Sequence, residues 1–466
     1  MTGTKDKTRQ RQRRKKTSYH IKSTNDRLNT FTIKGESNKS GQLVPVASWN
    51  CLPIEIQVKI IHQCALNEGH IRLFTLANVN SEWRRIISTD SLWKDVDLAK
   101  GTEKIPERDL HLMTIYLYPL LDKSRIVRFN RSITDQNLQN FTNSFSNIRE
   151  LIFEKYSCLH QTVLLQISKN NLFDHLISLN LTGAIEGSIS RPVMKAFIDH
   201  VLPKLKKLVL SNNFHKLDSF EMLLEYICTK SNKLEILELS NCLPSDLGSF
   251  ARFQFHLMRE NCVNLKVLNL SNTYINPVPS STLTNTGENF DLKEFYMSRS
   301  IHSKCNGSEE FLVDFIGSCK NLEVLDVKYL PNCCNFDFLL FLQTDKLKYL
   351  CVSHVISSIP IGQDFAIIQV SIAFARWRHT LLVLDMSQNE LYRSSWMAIL
   401  EGLGRNPVLK ELYLEGSNIT FDAVKFALRR FTNLECLDLR SCNNIMYPKL
   451  IKKFQGESLN ALRRQF

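Results

Sequence analysis

The chain is 466 residues long, 43% hydrophobic and 23% charged, with a formal net charge of +13 at pH 7. This length suits two or three domains around a substantial core, and no apolar run reaches the ~18 residues of a membrane helix, since Phe336–Leu342 is short and carries Asp337. The basic, polar N-terminus lacks the apolar segment of a secretory leader, and thirteen cysteines, an odd number without C-x-x-C spacing, are expected as reduced, mostly buried thiols.

Residues 1–45 carry few apolar side chains and are expected to form a basic, disordered tail. Between Lys5 and Lys16 lie eight Lys or Arg residues and one Asp, about half the net charge of the chain. Arg11, Arg13, Arg14, Lys15 and Lys16 have the pattern of a nuclear import signal, with a phosphate-binding tail or a solvated leader as the other readings. No apolar helix face accompanies them, which argues against a membrane surface. The expected location is nucleus and cytoplasm.

Residues 46–98 are predicted to be a small helical domain. Leu52-Pro53-Ile54-Glu55-Ile56 opens a helix: Pro53 suits its first position, and Glu55 complements the positive end of the helix dipole. Ile56, Ile60, Ile61 and Cys64 recur at helical spacing as one apolar stripe. A second helix carries Leu73, Leu76 and Ala77, and a third runs from Ser81 through Trp83 to Ile87, followed by Ser91-Leu92-Trp93-Lys94. Some fifty residues hardly bury this many large side chains among themselves, so the next domain or another protein is expected to cover the excess.

Leu52-Pro53 with Glu55 and Ile56, Leu76-Ala77 with Val79, Trp83-Arg84 with Ile86-Ile87, and Leu92-Trp93 resemble the F-box. Asn80 departs from that motif, standing where a small Cys or Ser is common. The resemblance implies docking on a Skp-type adaptor and, through it, on a cullin. It assigns adaptor binding to Leu52, Pro53, Ile56, Ile60, Trp83 and Leu92. The competing reading is a three-helix lid that only seals the neighbouring domain.

Residues 99–123 are expected as a linker helix, and residues 124–466 repeat themselves. The pattern LxxLxLxxN/C appears as Leu205, Leu208, Leu210 with Asn213; Leu234, Leu237, Leu239 with Cys242; and Leu434, Leu437, Leu439 with Cys442. From Ile148 to Leu434 the copies recur with a mean period of about 29 residues, within the range of leucine-rich repeats. In each copy the last two leucines are two apart and point to one side of a short strand. The closing Asn or Cys is expected to turn inward and satisfy backbone groups freed as the chain leaves the strand. The segments between, such as Met222, Leu223, Tyr226 and Ile227, have helical apolar spacing. The copies, with the tags Ile133-Thr134-Asp135 and Ile419-Thr420 and with Cys262, Cys319 and Asn433 ahead of new strands, resemble the cysteine-containing subclass of leucine-rich repeats. The predicted fold class is therefore α/β: a small helical F-box followed by a curved leucine-rich-repeat solenoid with strands on its concave side.

Outward positions on those strands carry Glu238, Tyr296, Asp326, Asp385, Tyr413 and Asp438, assigned here to target binding. With Glu150, Glu154, Glu294, Glu411 and Glu415 against Lys207, Lys328 and Arg440, nine acidic residues face three basic ones. Such a face suits a protein target with a basic segment, and it argues against nucleic acid; the bland alternative is a solvated face with scattered charges. Nothing points to catalysis. There is no P-loop, Gly402-Leu403-Gly404 lacks a third glycine, Cys158 and His160 are too isolated for a thiol nucleophile, and no metal or other cofactor set is present. The pair Cys333-Cys334 reads as incidental. The reading is a non-catalytic receptor subunit of a Skp-cullin-F-box ubiquitin ligase, and the alternative is a leucine-rich-repeat scaffold that does not direct ubiquitin transfer.

Overall fold

The structure is a computed structural model. It describes residues 49, 52–100, 120–129, 147–153, 159, 161–169, 174–185, 189–215, 217–244, 250–278, 290–300, 308–330, 338–355, 364–405, 407–445 and 451–465. The import-type run, most of the expected linker helix, Ile133-Thr134-Asp135, Glu154, Cys158, His160 and Cys333-Cys334 lie outside them. The chain divides into two compact units, Met1–Lys59 and Ile60–Phe466.

Helix α1 spans Ile54–Glu68. Its first backbone bonds go to the Pro53 carbonyl, from Ile56 N at 3.0 Å and Gln57 N at 3.1 Å. Pro53 thus stands one residue before the helix, within the ordinary play of helix ends. The Gln57 amide folds back to donate to Leu52 O at 2.9 Å and Trp49 O at 3.3 Å, which fixes the entering chain. The single apolar stripe expected here is two stripes. Gln57, Ile61 and Ala65, four apart, are buried, whereas Ile56 and Ile60 are each 39% exposed on another side of the helix.

Helices α2 (Ile71–Ala77) and α3 (Ser81–Ile87) follow, then a 3₁₀ turn over Asp90–Trp93. The departure at Asn80 has a local reason. Asn80 is extended, with φ −160°, and its Oδ1 accepts the Trp83 N–H at 2.8 Å, so it caps α3. His70 ties these helices to the first strand: its buried ring donates from Nε2 to Leu92 O at 2.9 Å and accepts Asp97 N–H on Nδ1 at 3.0 Å. Both bonds need the neutral Nε2–H tautomer.

One sheet of fourteen strands runs through the second unit in chain order. The strands are β1 Asp95–Asp97, β2 Ile126–Phe129, β3 Glu150–Phe153, β4 Ser178–Asn180, β5 Lys207–Val209, β6 Ile236–Glu238 and β7 Val267–Asn269. They continue as β8 Glu294–Tyr296, β9 Val324–Asp326, β10 Tyr349–Cys351, β11 Val383–Asp385, β12 Glu411–Tyr413, β13 Cys436–Asp438 and β14 Lys453–Gln455. All neighbours are parallel except β14, which closes the sheet antiparallel to β13. The sheet begins inside the segment expected to be purely helical, since β1 pairs Val96 with Val127. The sheet is open and curved, the form of an α/β solenoid.

Helices α4 (Gln161–Lys169), α5 (Arg191–His200), α6 (Leu217–Lys230), α7 (Phe255–Asn261), α8 (Ser308–Gly317), α9 (Phe338–Phe341), α10 (Asp364–Trp377), α11 (Arg393–Gly402) and α12 (Phe421–Arg430) link the strands, and α13 (Glu457–Arg463) follows β14. From α4 to α12 each packs on the next, so burial is local along the stack. The middle residue of each three-residue strand, such as Leu237, Leu325 or Leu412, is buried in the core behind the sheet.

The inward polar residues do the work expected of them. Asn213 Nδ2 donates to Leu181 O at 2.8 Å and Leu210 O at 2.6 Å, and its Oδ1 accepts Ile185 N–H at 3.1 Å. Asn389 repeats the arrangement with Val352 O and Met386 O, both at 2.9 Å. Where Cys replaces Asn, the thiol takes one such bond: Cys242 to Leu210 O at 3.1 Å and Cys442 to Leu414 O at 3.0 Å. Burial pushes the Cys242 thiol up to about 12, so it stays protonated and donates. Gly402 has a packing reason as well, since a Cβ there would collide with the Ser371 carbonyl of α10.

Candidate functional site

The residues singled out above fall into two sets. Ile54, Ile56 and Ile60 on α1 are exposed, as is Pro53 just before it, and Leu52 is half-buried. In the second unit Trp83 is half-buried on α3, and Val79, just before the Asn80 cap, is exposed. Leu92 departs from this set. It is 2% exposed in the 3₁₀ turn that receives His70, so it holds the helices on β1 and presents nothing to a partner. Trp93 is likewise internal, with its Nε1 donating to Ile87 O at 2.6 Å. Leu-Trp in this motif is thus core, whereas Pro53, Ile56 and Ile60 are surface. Periodicity alone does not separate these roles, because both kinds of position are apolar.

The second set lies on the face of the sheet away from the core. The register brings Glu238, Asn269, Tyr296, Asp326, Cys351, Asp385, Tyr413 and Asp438 into one row across neighbouring strands. A parallel row, two residues back on each strand, contains Glu294, Tyr349 and Glu411. Adjacent members stand about 4.8 Å apart, the spacing of paired strands.

The aspartates of the first row have a structural duty that the sequence reading missed. Asp326 Oδ1 accepts Lys328 N–H at 3.2 Å, Asp385 Oδ1 accepts Ser387 N–H at 2.9 Å, and Asp438 Oδ1 accepts Arg440 N–H at 3.2 Å. Asn180 and Asn269 make the same bond to the residue two further on, at 2.9 and 3.0 Å. In these five units a short side chain with an acceptor, Asp or Asn, closes the turn as the strand ends. A run of Asp at that spacing is readable in the sequence as this turn.

Two of the six expected target-binding residues are turned to internal use at the C-terminal end. Asp438 is 1% exposed and held by Arg440, whose Nη2 lies 2.7 Å from its carboxylate. Burial raises this carboxyl, but the Arg440 bonds and charge outweigh it and leave the group below its ordinary value. Tyr413 donates to Glu411 at 2.6 Å and has Lys453 over its ring, 5.1 Å from the centroid. Strand β14 puts Lys453 opposite Asp438, which breaks the run of positions without Lys or Arg. Asp326, also buried, bonds Ser298 Oγ at 2.9 Å. Glu238, Tyr296 and Asp385 remain half-buried on the face. Tyr349 joins them, unanticipated. Burial, then the Glu294 carboxylate that accepts its hydroxyl at 3.0 Å, pushes Tyr296 up to about 12, so it is a hydrogen-bond donor at neutral pH.

The edge where the strands begin is charged and largely self-paired. Glu235 sits between Lys206 and Lys266, at 2.8 Å from each, and Lys348 meets Glu323 at 2.6 Å. Hydrogen bonds from both lysines hold the Glu235 carboxyl down at about 2. The eight cysteines described in the structure are free, and all but Cys64, half-buried on α1, are buried. Among the described residues no His, Cys, Asp and Glu group has metal-site geometry, and no helix is long and apolar enough to cross a membrane.

Comparison with known proteins bears on the first set. No curated protein matches the chain. Among solved structures the chain is similar to one in the crystal structure of the Rad7 and Elc1 complex in yeast, at 14% identity over 85% of this chain and 88% of that one, with a TM-score of 0.38. A family model described as F-box-like matches residues 49–99, the segment that holds α1 to α3, and this chain therefore carries an F-box-like domain there.

Proposed function

We propose that the protein is the non-catalytic, target-recognition subunit of a Skp-cullin-F-box ubiquitin ligase. The observation that carries this reading is the outward turn of Ile56 and Ile60, each 39% exposed on a helix inside the F-box-like segment. Leu52, Pro53, Ile56, Ile60 and Trp83 dock the Skp-type adaptor, and a cullin binds through it. Burying an exposed aliphatic side chain contributes roughly 1.5–3 kcal/mol, so a few such residues support a stable contact. The strand–helix units, read as leucine-rich repeats of the cysteine-containing subclass, hold a protein target on the open sheet face. Glu238, Glu294, Asp326 and Asp385 with Tyr296 and Tyr349 favour a basic segment of it. Catalysis belongs to the conjugating enzyme, and this chain supplies proximity by raising the local concentration of a target lysine.

Purified Skp-type adaptor, titrated against wild type and an Ile56→Asp, Ile60→Asp variant, tests the docking. The expected result is a weakening of at least about a hundredfold with an unchanged melting temperature. Equal binding by both proteins would remove the F-box reading and leave the scaffold alternative. Arg11, Arg13, Arg14, Lys15 and Lys16 are proposed to carry the chain into the nucleus. A fluorescent fusion in which these five are Ala is expected in the cytoplasm, and unchanged nuclear signal would refute the import role.

A further inference from the structure

The first residue beyond each sheet-face turn is left-handed. Gly183, Asn212, Asn241 and Asn272 take this position in successive units, with φ between 54° and 61°. Its backbone N–H reaches the next unit, as Asn241 N does to Ser271 O at 2.8 Å, so the conformation is built into the stack. Glycine and asparagine tolerate it and large side chains do not. The asparagines form their own ladder, Asn241 donating to Asn212 at 2.9 Å and Asn272 to Asn241 at 2.7 Å.

The next four units break that rule together. Arg299, Tyr329, His354 and Gln388 occupy the same position at φ 54° to 56°, after which Gly416 returns. They form one assembly. The Arg299 guanidinium lies over the Tyr329 ring at 4.2 Å, the Tyr329 and His354 rings are 5.1 Å apart, and the Tyr329 hydroxyl donates to Gln388 at 3.0 Å. Gly416 leaves room for Gln388, whose Cγ would be 3.3 Å from a Cβ there. Arg299, His354 and Gln388 are exposed; Arg299 has no ion pair among the described residues, whereas Lys328 is paired with Asp326 at 3.8 Å. Contact with the Tyr329 ring holds the guanidinium in place, and its fork of N–H donors suits a planar acceptor.

We infer that this rim is a specificity site that takes the carboxylate of an acidic residue in a bound protein segment. Arg299 is the anion donor, and Tyr329 is a positioning residue for Arg299. Strained backbone in four consecutive units, with Tyr329 touching the side chains of the other three, is the arrangement of a binding surface; asparagine would serve the stack alone. The rim rests on the reading of the sheet face as a target surface and refines it. Asp326 and Asp385 stand three residues before Tyr329 and Gln388, at most about 10 Å away along an extended chain. A target segment that meets both therefore carries a basic and an acidic residue about three positions apart.

A randomised dodecapeptide library displayed on phage, selected on the immobilised full chain, tests the inference. Arg299→Asn and Tyr329→Asn put into these units the residue that Asn272 already supplies, so the fold is retained. Wild type is expected to enrich peptides with an acidic residue. Arg299→Asn is expected to lose that preference and to bind the selected peptide about tenfold more weakly. Arg299→Lys is expected to recover only part of the affinity, because the fork is gone. An Asp326→Asn, Asp385→Asn variant separates the two readings: it is expected to lose the basic preference alone. Enrichment without an acidic position, or the same acidic preference in Arg299→Asn, would overturn the rim site even if the basic preference survived. No enrichment above a blank surface would overturn both.

Discussion

His70 shows how one side chain joins the helical segment to the sheet. Its ring is 1% exposed, donates to Leu92 O and accepts from Asp97 N–H, and burial first of all lowers its pKa from 6.5. The unfolded chain therefore takes up the proton first as pH falls, and the folded form gains nothing from it. Stability is fully present above about 6.5, the unfolded value, and is lost progressively below it as the folded pKa is approached. Thermal unfolding from pH 7.5 to 5.5 is expected to show a falling midpoint, less steep in His70→Gln. At pH 7.5 that variant is expected to be less stable by about 1–3 kcal/mol, the cost of one unsatisfied buried group. A midpoint with the same pH slope in both proteins would contradict this account. The Asp residues at strand ends offer a cleaner case. Asp385→Asn keeps the bond to Ser387 N–H that Asn180 and Asn269 make in their units, so its melting temperature is expected to stay put while charge on the face is removed.

Helix α1 and the 3₁₀ turn separate two jobs that the apolar sequence pattern merges. Ile56 and Ile60 lie outward, so Ala at both is expected to change stability by less than about 0.5 kcal/mol each and to weaken adaptor binding. Leu92 is internal, and Leu92→Ala is expected to cost about 2–5 kcal/mol in chemical denaturation. Finding the reverse order would place the adaptor face elsewhere. The strand–helix units were legible because their leucines recur with a period, and the inward Asn and Cys followed from the need to satisfy freed backbone groups. Strands β1 and β14 were not legible. Each has a single apolar residue, Val96 or Phe454, and their strand form comes from pairing with a neighbour. The division of α1 into a buried and an exposed stripe was hidden for a related reason: composition tells which residues are apolar, and only packing tells which of them are covered.

Across the second unit, burial passes from each helix to the next, and stability is a sum of neighbouring contacts. The end of such a stack needs a cap. Strand β14 pairs with β13, Phe454 is buried, and Arg463 donates to Phe431 O at 2.7 Å and Leu434 O at 2.8 Å. Removing residues 451–466 uncovers the β13 edge and these carbonyls. The truncated chain is expected to melt earlier and to form larger species in size-exclusion chromatography. An unchanged melt and a monomer peak would show that β14 and α13 are dispensable.

The most direct measurement is capture of the intact chain beside its Ile56→Asp, Ile60→Asp variant, with bound proteins and their ubiquitin-modified lysines identified by mass spectrometry. The account predicts adaptor and cullin with wild type alone. It also predicts at least one target that both proteins hold and that gains ubiquitin only with wild type. Targets without adaptor or cullin in either sample, or equal ubiquitin in both, would contradict it.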